Sequence, residues 1–430
     1  MNLRYGEKPC VPFTVWGLIA LLSTGLAPQE SASDWPQFRG PGGQGTSEDK
    51  GVPVTWSQTE NVVWKAELPG PGASSPVVVG TRIFLTCYTG YNVPRQPKGE
   101  MDRLRLHVLC LDRETGKVLW TQEVAPRLPE EETIRENHGY ASSTPAVDSA
   151  RVYVFFGKSG VFAFDHDGRR QWQVDVGSKT SGWGSAASPV LSGDLVIINA
   201  SVESESAVAL NKTDGKVVWR ARGMRESWNT PILASVGDGK PELVVAIAGK
   251  LLGLDPLTGE SLWSCDTDIG WYMVPSLVAH DGVVYSIGGR TGGGLAVRLG
   301  GRGDVTKSHR LWTGRKGSNV SSPVVHEGHL YWMHENQGIA YCAEAKTGKI
   351  VYEERTEGAS QVYASPVLAD GKLYYVCRNG RTNVLAAKPE YERLAGNDLS
   401  DRSTFNASPA VAGSRLLLRS DRFLYCLGRK

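Results

Sequence analysis

The segment "LDRETGKVLW", residues 111–120, decides how this chain folds. Asp and Thr-Gly make a tight turn between strands, and the tryptophan belongs to the strand that follows. The signature returns as "FDHDGRRQW" (164–172), "LNKTDGKVVW" (210–219), "LDPLTGESLW" (254–263) and "EAKTGKIVY" (344–352). Trp120, Trp172, Trp219 and Trp263 hold its aromatic end, with Trp312 and Tyr352 in looser copies. A tryptophan recurring once per unit is expected to pack between units, burying about 200 Å² each time.

Upstream of each turn lies a second recurring element, a small residue and a proline: Pro76, Pro145, Pro189, Pro231, Pro275, Pro323, Pro366 and Pro409. After each come a short apolar strand, a turn such as Asp-Gly or Glu-Gly, and an alternating strand. With the tryptophan turn this makes four strands per repeat at propeller-blade length. Eight anchors give eight blades, but the chain stops before the fourth strand of the last. "TENVVWKAELPG" (59–70), with Trp64, supplies the missing piece. The prediction is an all-β fold, an eight-bladed β-propeller of four-stranded antiparallel blades whose last blade is closed by an N-terminal strand. Its expected extent is 34–430, with an N-terminal arm over 34–53 and the closing strand within 54–70.

Of 430 residues, 40% are hydrophobic and 21% charged, a globular balance, and a net charge of +2 gives no polybasic signal for nucleic acid. Residues 1–27 read as a signal peptide: Arg4 and Lys8, an apolar run, then small residues, with cleavage after Ala27 or Ala32. Retained, the same run would act as a membrane anchor. Cys10 precedes it, so no lipoprotein cleavage site is evident. A periplasmic or secreted monomer is expected. The other cysteines contain no CxxC, which argues against a structural zinc site. Cys110, Cys342 and Cys426 share one repeat position and read as small buried apolar residues. If a disulfide exists, Cys87 with Cys110 is the expected pair.

The repeated "LD..TGK..W" turn resembles the pyrroloquinoline-quinone-type β-propeller repeats, a family that includes quinoprotein alcohol dehydrogenases and BamB-like outer-membrane assembly factors. The resemblance spans about 34–430 and implies the eight-bladed fold; activity does not follow from it. Catalytic members use adjacent cysteines beside the quinone, acidic and amide ligands to calcium, and an aspartate base. No adjacent cysteines occur here, and Asp112 and Asp255 fall in the tryptophan turns, where they cap. The expectation is therefore an exported, non-catalytic binding or scaffold module with no cofactor and no metal. Its expected partner is an envelope protein, peptide or glycan. The alternative is a dehydrogenase-like enzyme using the quinone with calcium, or another metal, at a divergent site.

In a propeller the segments before the anchors ring one mouth of the central channel. They contain His138, Tyr140, Trp183, Trp228, Asn229, Trp271, Tyr272, Asn319, Tyr363, Phe405 and Asn406. Hairpins between second and third strands add Arg290, His334 and Arg378 to the same face, with Lys158, Glu203 and Glu335 beside them. Aromatic residues with polar handles suit recognition, so these form the expected binding rim. "DWPQFRGPGGQGTS" (34–47) imitates a phosphate loop but lacks the helix that would gather backbone amides on an anion. Its Trp35, Phe38 and Arg39 are expected to anchor the arm on the first or last blade.

Overall fold

The computed structural model describes residues 1–3, 6, 33–132, 134, 138–237, 239–290 and 292–429. Of the expected leader, only residues 1–3 and 6 fall within that set. Among the described residues no helix is long and apolar enough to cross a membrane. Strands dominate, arranged as eight antiparallel blades in sequence order, as the repeat predicts. Blade 1 contains Val77–Val79, Arg82–Thr89, Arg105–Asp112 and Val118–Val124. Blade 8 takes Ala410–Ala412, Arg415–Arg419 and Phe423–Leu427, and its outermost strand is Val62–Glu67, pairing Trp64 with Cys426. The ring is thus closed by both ends of the chain, which leaves no unpaired strand at the join.

The turn signature works by two mechanisms at once. Asp112 accepts hydrogen bonds from the Thr115 amide (2.8 Å) and hydroxyl (2.7 Å), which fixes the loop. Gly116 adopts φ +70°, and a Cβ there would sit 2.5 Å from the Trp64 ring. Glycine therefore serves both the backbone and the neighbour. Each tryptophan lies on the glycine of the next blade and donates its indole N–H to a carbonyl in the same turn. The series runs Trp64 to Arg113 (3.0 Å), Trp120 to His166 (2.8 Å), Trp172 to Lys212 (2.9 Å), Trp219 to Pro256 (3.0 Å) and Trp312 to Ala345 (2.8 Å).

Blade 5 breaks the series because its turn is degenerate. Trp263 instead donates to Glu242 Oε2 at 2.7 Å within its own blade. The chain between the last two strands of blade 5 lies against blade 4, where Gly303–Asp304 adds a short parallel fifth strand. Across the sheet the small residue of the repeat pairs with the aromatic: Cys110 with Trp120, Cys342 with Tyr352, Gly253 with Trp263. A Cβ on Gly253 would meet the Trp263 indole at 2.1 Å, which explains the demand for small size. In blade 2 that position is Ala163, opposite Trp172.

The expected Cys87–Cys110 bridge is not formed. Cys110 pairs with Phe84 and Cys87 with His107, and the two thiols enter different core clusters. Both are free and buried, and burial pushes each up to about 12.

Inside the ring a second series appears that the proline anchors only approximate. In blades 2–4 and 6–8 the residue before the proline offers its hydroxyl to the backbone N–H of the preceding blade. Ser75 N–H donates to Thr144 (2.9 Å), Thr144 to Ser188 (3.0 Å), and Ser188 to Thr230 (2.9 Å). Thr230 then donates to Ser276 (3.0 Å), Ser276 to Ser322 (2.9 Å), Ser322 to Ser365 (3.0 Å), and Ser365 to Ser408 (2.9 Å). In blade 5 the hydroxyl follows Pro275 instead of preceding it, so the hydroxyl, not the proline, marks the register. At the closing seam the Ser75 hydroxyl has no partner among the described residues. There the buried Arg419 of blade 8 reaches across, donating from Nη1 to the Ser74 carbonyl at 2.7 Å.

Candidate functional site

Three layers succeed one another along the inner strands: the segments before the anchors, the hydroxyl series, and then the N-terminal arm. The arm meets inner strands about three residues beyond the hydroxyls. Trp35 exchanges backbone hydrogen bonds with Val78, and the Pro36 carbonyl accepts from Val147 at 2.8 Å. Gln44 accepts from the Ala279 amide at 2.9 Å, and Thr46–Ser47 pairs in parallel with Leu368 and Ala369. Arg39, buried and at φ 61°, donates to the Pro323 carbonyl and to the Gln44 carbonyl (3.0 Å). Burial lowers the pKa of its guanidinium to about 9. Trp35 does bind blade 1 as expected, but Arg39 reaches blade 6 and the arm continues to blade 7. It spans the ring where the sequence suggested one blade.

Phe38 of this arm joins the rim and the hydroxyl series in lining one cavity of about 140 Å³. Around it stand His138, Trp183, Trp228, Tyr272, Tyr363 and Asn406, with Thr230, Ser276, Ser322, Ser365 and Ser408 deeper. Six of the expected rim residues therefore converge on the channel mouth. Trp183 packs edge-on against Tyr272 at 5.3 Å between centroids, and Trp228 lies 5.7 Å from the same ring. Tyr272 holds φ 66°, an unfavourable conformation for a bulky residue, which sets its ring among the tryptophans. His138 donates from Nε2 to the Trp183 carbonyl and accepts from the Ser142 hydroxyl, and burial lowers its pKa, so it acts as a neutral strut.

Two arginines stand at the edge of the mouth on aromatic faces. Arg290 sits 4.9 Å from the Trp183 and Tyr272 ring centroids and 5.1 Å from that of Trp271. Arg378 lies 4.3 Å from the Tyr363 centroid and donates to Asn406 (2.9 Å) and Gln361 (2.6 Å). Asn319 and His334 line an adjoining cleft of about 210 Å³ with Arg290.

Three of the expected rim residues face elsewhere. Asn229 is fully buried in the wall, where its amide donates to Ala246 (2.7 Å), Met273 (3.1 Å) and Ser227 (3.0 Å). Such a saturated amide ties blades together and has nothing left for a ligand. Tyr140 packs on Tyr88 and on Tyr91 of the loop between the second and third strands of blade 1, its hydroxyl donating to the Glu131 carbonyl at 2.6 Å. Phe405 is buried against Tyr425. Periodicity alone placed all three on the rim because it gives position along the strand, not side-chain direction. Conversely, the sequence reading gave Phe38 to the arm's anchorage and missed it in the cavity lining, and it missed the hydroxyl series. The small residue before each proline was the visible signal of the hydroxyl series.

A family model described as Outer membrane protein assembly factor BamB matches residues 104–246 and 204–395. The chain belongs to that family. It is 24% identical over 330 residues to the outer membrane protein assembly factor BamB of Yersinia pestis, covering 73% of this chain and 77% of that protein. Tetrathionate hydrolase of Acidithiobacillus ferrooxidans is 22% identical over 353 residues, covering 74% of this chain and 65% of the hydrolase. Among solved structures, BamB from Moraxella catarrhalis superposes with a TM-score of 0.60 at 13% identity, covering 85% of this chain and 99% of that one. A europium-containing methanol dehydrogenase gives 0.52 at 14% identity, covering 83% and 90%. At these identities the superpositions establish the propeller fold.

Proposed function

We propose that this chain is an exported, non-catalytic scaffold of the cell envelope whose aromatic channel mouth holds a protein partner during outer-membrane protein assembly. The observation that carries this reading is the convergence of Trp183, Trp228, Tyr272 and Tyr363 on one apolar cavity, edged by two arginines. Aromatic and arginine anchors around a desolvated pocket are the composition of interface hot spots. Membership of the assembly-factor family supports a protein as partner over a glycan. The dehydrogenase alternative fits the mouth poorly. No aspartate, glutamate or cysteine lines the cavity, so a quinone with calcium would find no carboxylate ligand there. Among the described residues no cluster of three metal-ligating side chains occurs. We propose that the site works without cofactor or metal and that the chain acts as a monomer.

The test is site-specific photo-crosslinking in cells. A photoreactive residue at position 183 should yield adducts with an envelope protein, and one at the exposed outer-strand position 218 should not. Equal adducts from both positions, or none from 183, would reject the mouth as the contact surface.

A further inference from the structure

We infer that Arg290 is the centre of a carboxylate-binding site, and that the partner segment held at the mouth presents an ionised carboxylate next to an apolar side chain. The inference rests on the proposed binding role and specifies its chemistry. Three aromatic rings have their centroids 4.9–5.1 Å from the Arg290 guanidinium carbon, so the cation lies over a cluster of π-faces. Among the described residues the Arg290 N–H groups meet no acceptor, and a planar guanidinium fork matches a carboxylate bidentately.

The neighbouring acids are already engaged. Glu335, buried in the adjoining cleft, accepts from the Asn319 amide (2.9 Å), Ser318 (3.3 Å) and Asn336 (3.2 Å). Glu353 accepts from Lys316 (3.0 Å) and Tyr341 (3.2 Å). Among the described residues neither Arg290 nor Arg315, which lines the same cleft, has an ion-pair partner. A pre-oriented cation beside an apolar cavity thus lacks an internal counter-charge. An incoming segment that places a carboxylate on Arg290 would bring its adjacent side chain to the aromatic mouth.

The full chain would be titrated with two peptide pairs, followed by calorimetry and tryptophan fluorescence. The first pair is acetyl-Gly-Ser-Phe-Glu-Ser-Gly-amide and its glutamine counterpart. The second is acetyl-Gly-Ser-Gly-Phe ending in a free acid or an amide. An acid should bind at least about tenfold more tightly than its neutral counterpart, consistent with a charge-assisted pair. The responding pair separates a side-chain from a C-terminal carboxylate. Arg290→Gln should erase the preference, and Arg290→Lys should erase most of it, because the planar fork is lost. Arg290 is exposed, so an unchanged melt is expected for both variants.

Equal binding of acid and neutral peptides, a preference that survives Arg290→Gln, or no binding up to about 1 mM would each overturn the inference. Loss of peptide binding in Trp183→Ala without any acid preference would reject the carboxylate while leaving the mouth reading intact. Failure of the mouth itself is read separately, in the crosslinking from position 183.

Discussion

The outer and inner circumferences of the ring are stitched by different chemistry, and they fail at different seams. Outside, tryptophan packs on glycine and donates to a turn carbonyl; this large-area joint occurs at five seams and is missing after blades 4, 6 and 7. Inside, a backbone N–H meets a hydroxyl; this small joint occurs at seven seams and is missing only at closure. Where the outer joint fails, other contacts stand in: Trp263 turns to Glu242, Tyr352 meets Tyr391 edge-on, and Trp56 of the N-terminal segment stacks on Tyr374 of blade 7. Where the inner joint fails, Arg419 crosses the seam. The inner joint needs one oxygen at one register; the outer needs two matched residues in two blades. That difference explains why the inner series tolerates the displaced proline of blade 5 and the outer series does not tolerate its degenerate turn.

The harshest way to break the comparison is to remove closure, which both series presuppose. Deleting residues 54–68 takes away Val62–Glu67 and with it Trp64, exposing both edges at the join. Cooperative unfolding should be lost; an unchanged calorimetric melt would mean that the two series hold an open ring. Next in size is the outer joint at one seam. Trp219→Ala should cost about 3–4 kcal/mol, because a nearly buried indole and its bond to Pro256 are both lost. Gly259→Ala attacks the same joint from the opposite blade: a Cβ there would lie 2.5 Å from the Trp219 ring, at φ +73°. The double variant should cost clearly less than the sum of the two, as residues sharing one contact do. Additive losses in chemical denaturation would separate the glycine from the tryptophan.

This asymmetry also accounts for what could be read in advance. Blade number, closure and the tryptophan joints were legible because each repeats a rare residue at a fixed offset. The rim was legible as a set, since six of its residues do meet at one cavity, but not residue by residue. Asn229 and Trp228 are adjacent, and only the tryptophan lines the cavity. The arm's path was not legible at all. It occurs once, carries no period, and its partners lie far along the chain, 322 residues away in the Tyr374 bond to Val52. Arg419 was hidden for the same reason: a single residue replacing a joint that seven other seams make differently.

Both series consist of neutral hydrogen bonds and apolar contacts, so neither should titrate near neutrality. Any pH dependence there must come from elsewhere, and buried carboxyls such as Glu203 and Glu130 contribute to it. Burial pushes Glu203 up to about 7, opposed by the Ser185 hydroxyl that it accepts from and aided by Glu130. Glu130, itself raised to about 7 by burial, faces Lys158, Glu131 and Ser159. A carboxyl whose folded pKa lies above its unfolded value holds extra protons in the native state. Stability therefore falls as pH rises from about 4.5 to about 7 and stays low above that range. Glu203→Gln should remove its own share of the penalty, raising stability at pH 8 by an amount on the order of 2 kcal/mol while changing little at pH 5. Parallel pH profiles for wild type and variant would place the titration elsewhere.

The finest test compares two serines of the inner series that look alike in sequence. Ser365 accepts from the Ser322 amide, and its loss leaves a buried backbone N–H without a partner, at a cost of about 1–2 kcal/mol. Ser75 is as deeply buried, yet its hydroxyl has no partner among the described residues, because closure is made by Arg419 one residue away. Ser75→Ala should therefore change stability by less than about 0.5 kcal/mol, or raise it, since a buried unpaired hydroxyl is itself unfavourable. Paired denaturation curves decide the matter. If Ser75→Ala costs as much as Ser365→Ala, the hydroxyl series is continuous around the ring, and Arg419 is an addition to the closing joint instead of its replacement.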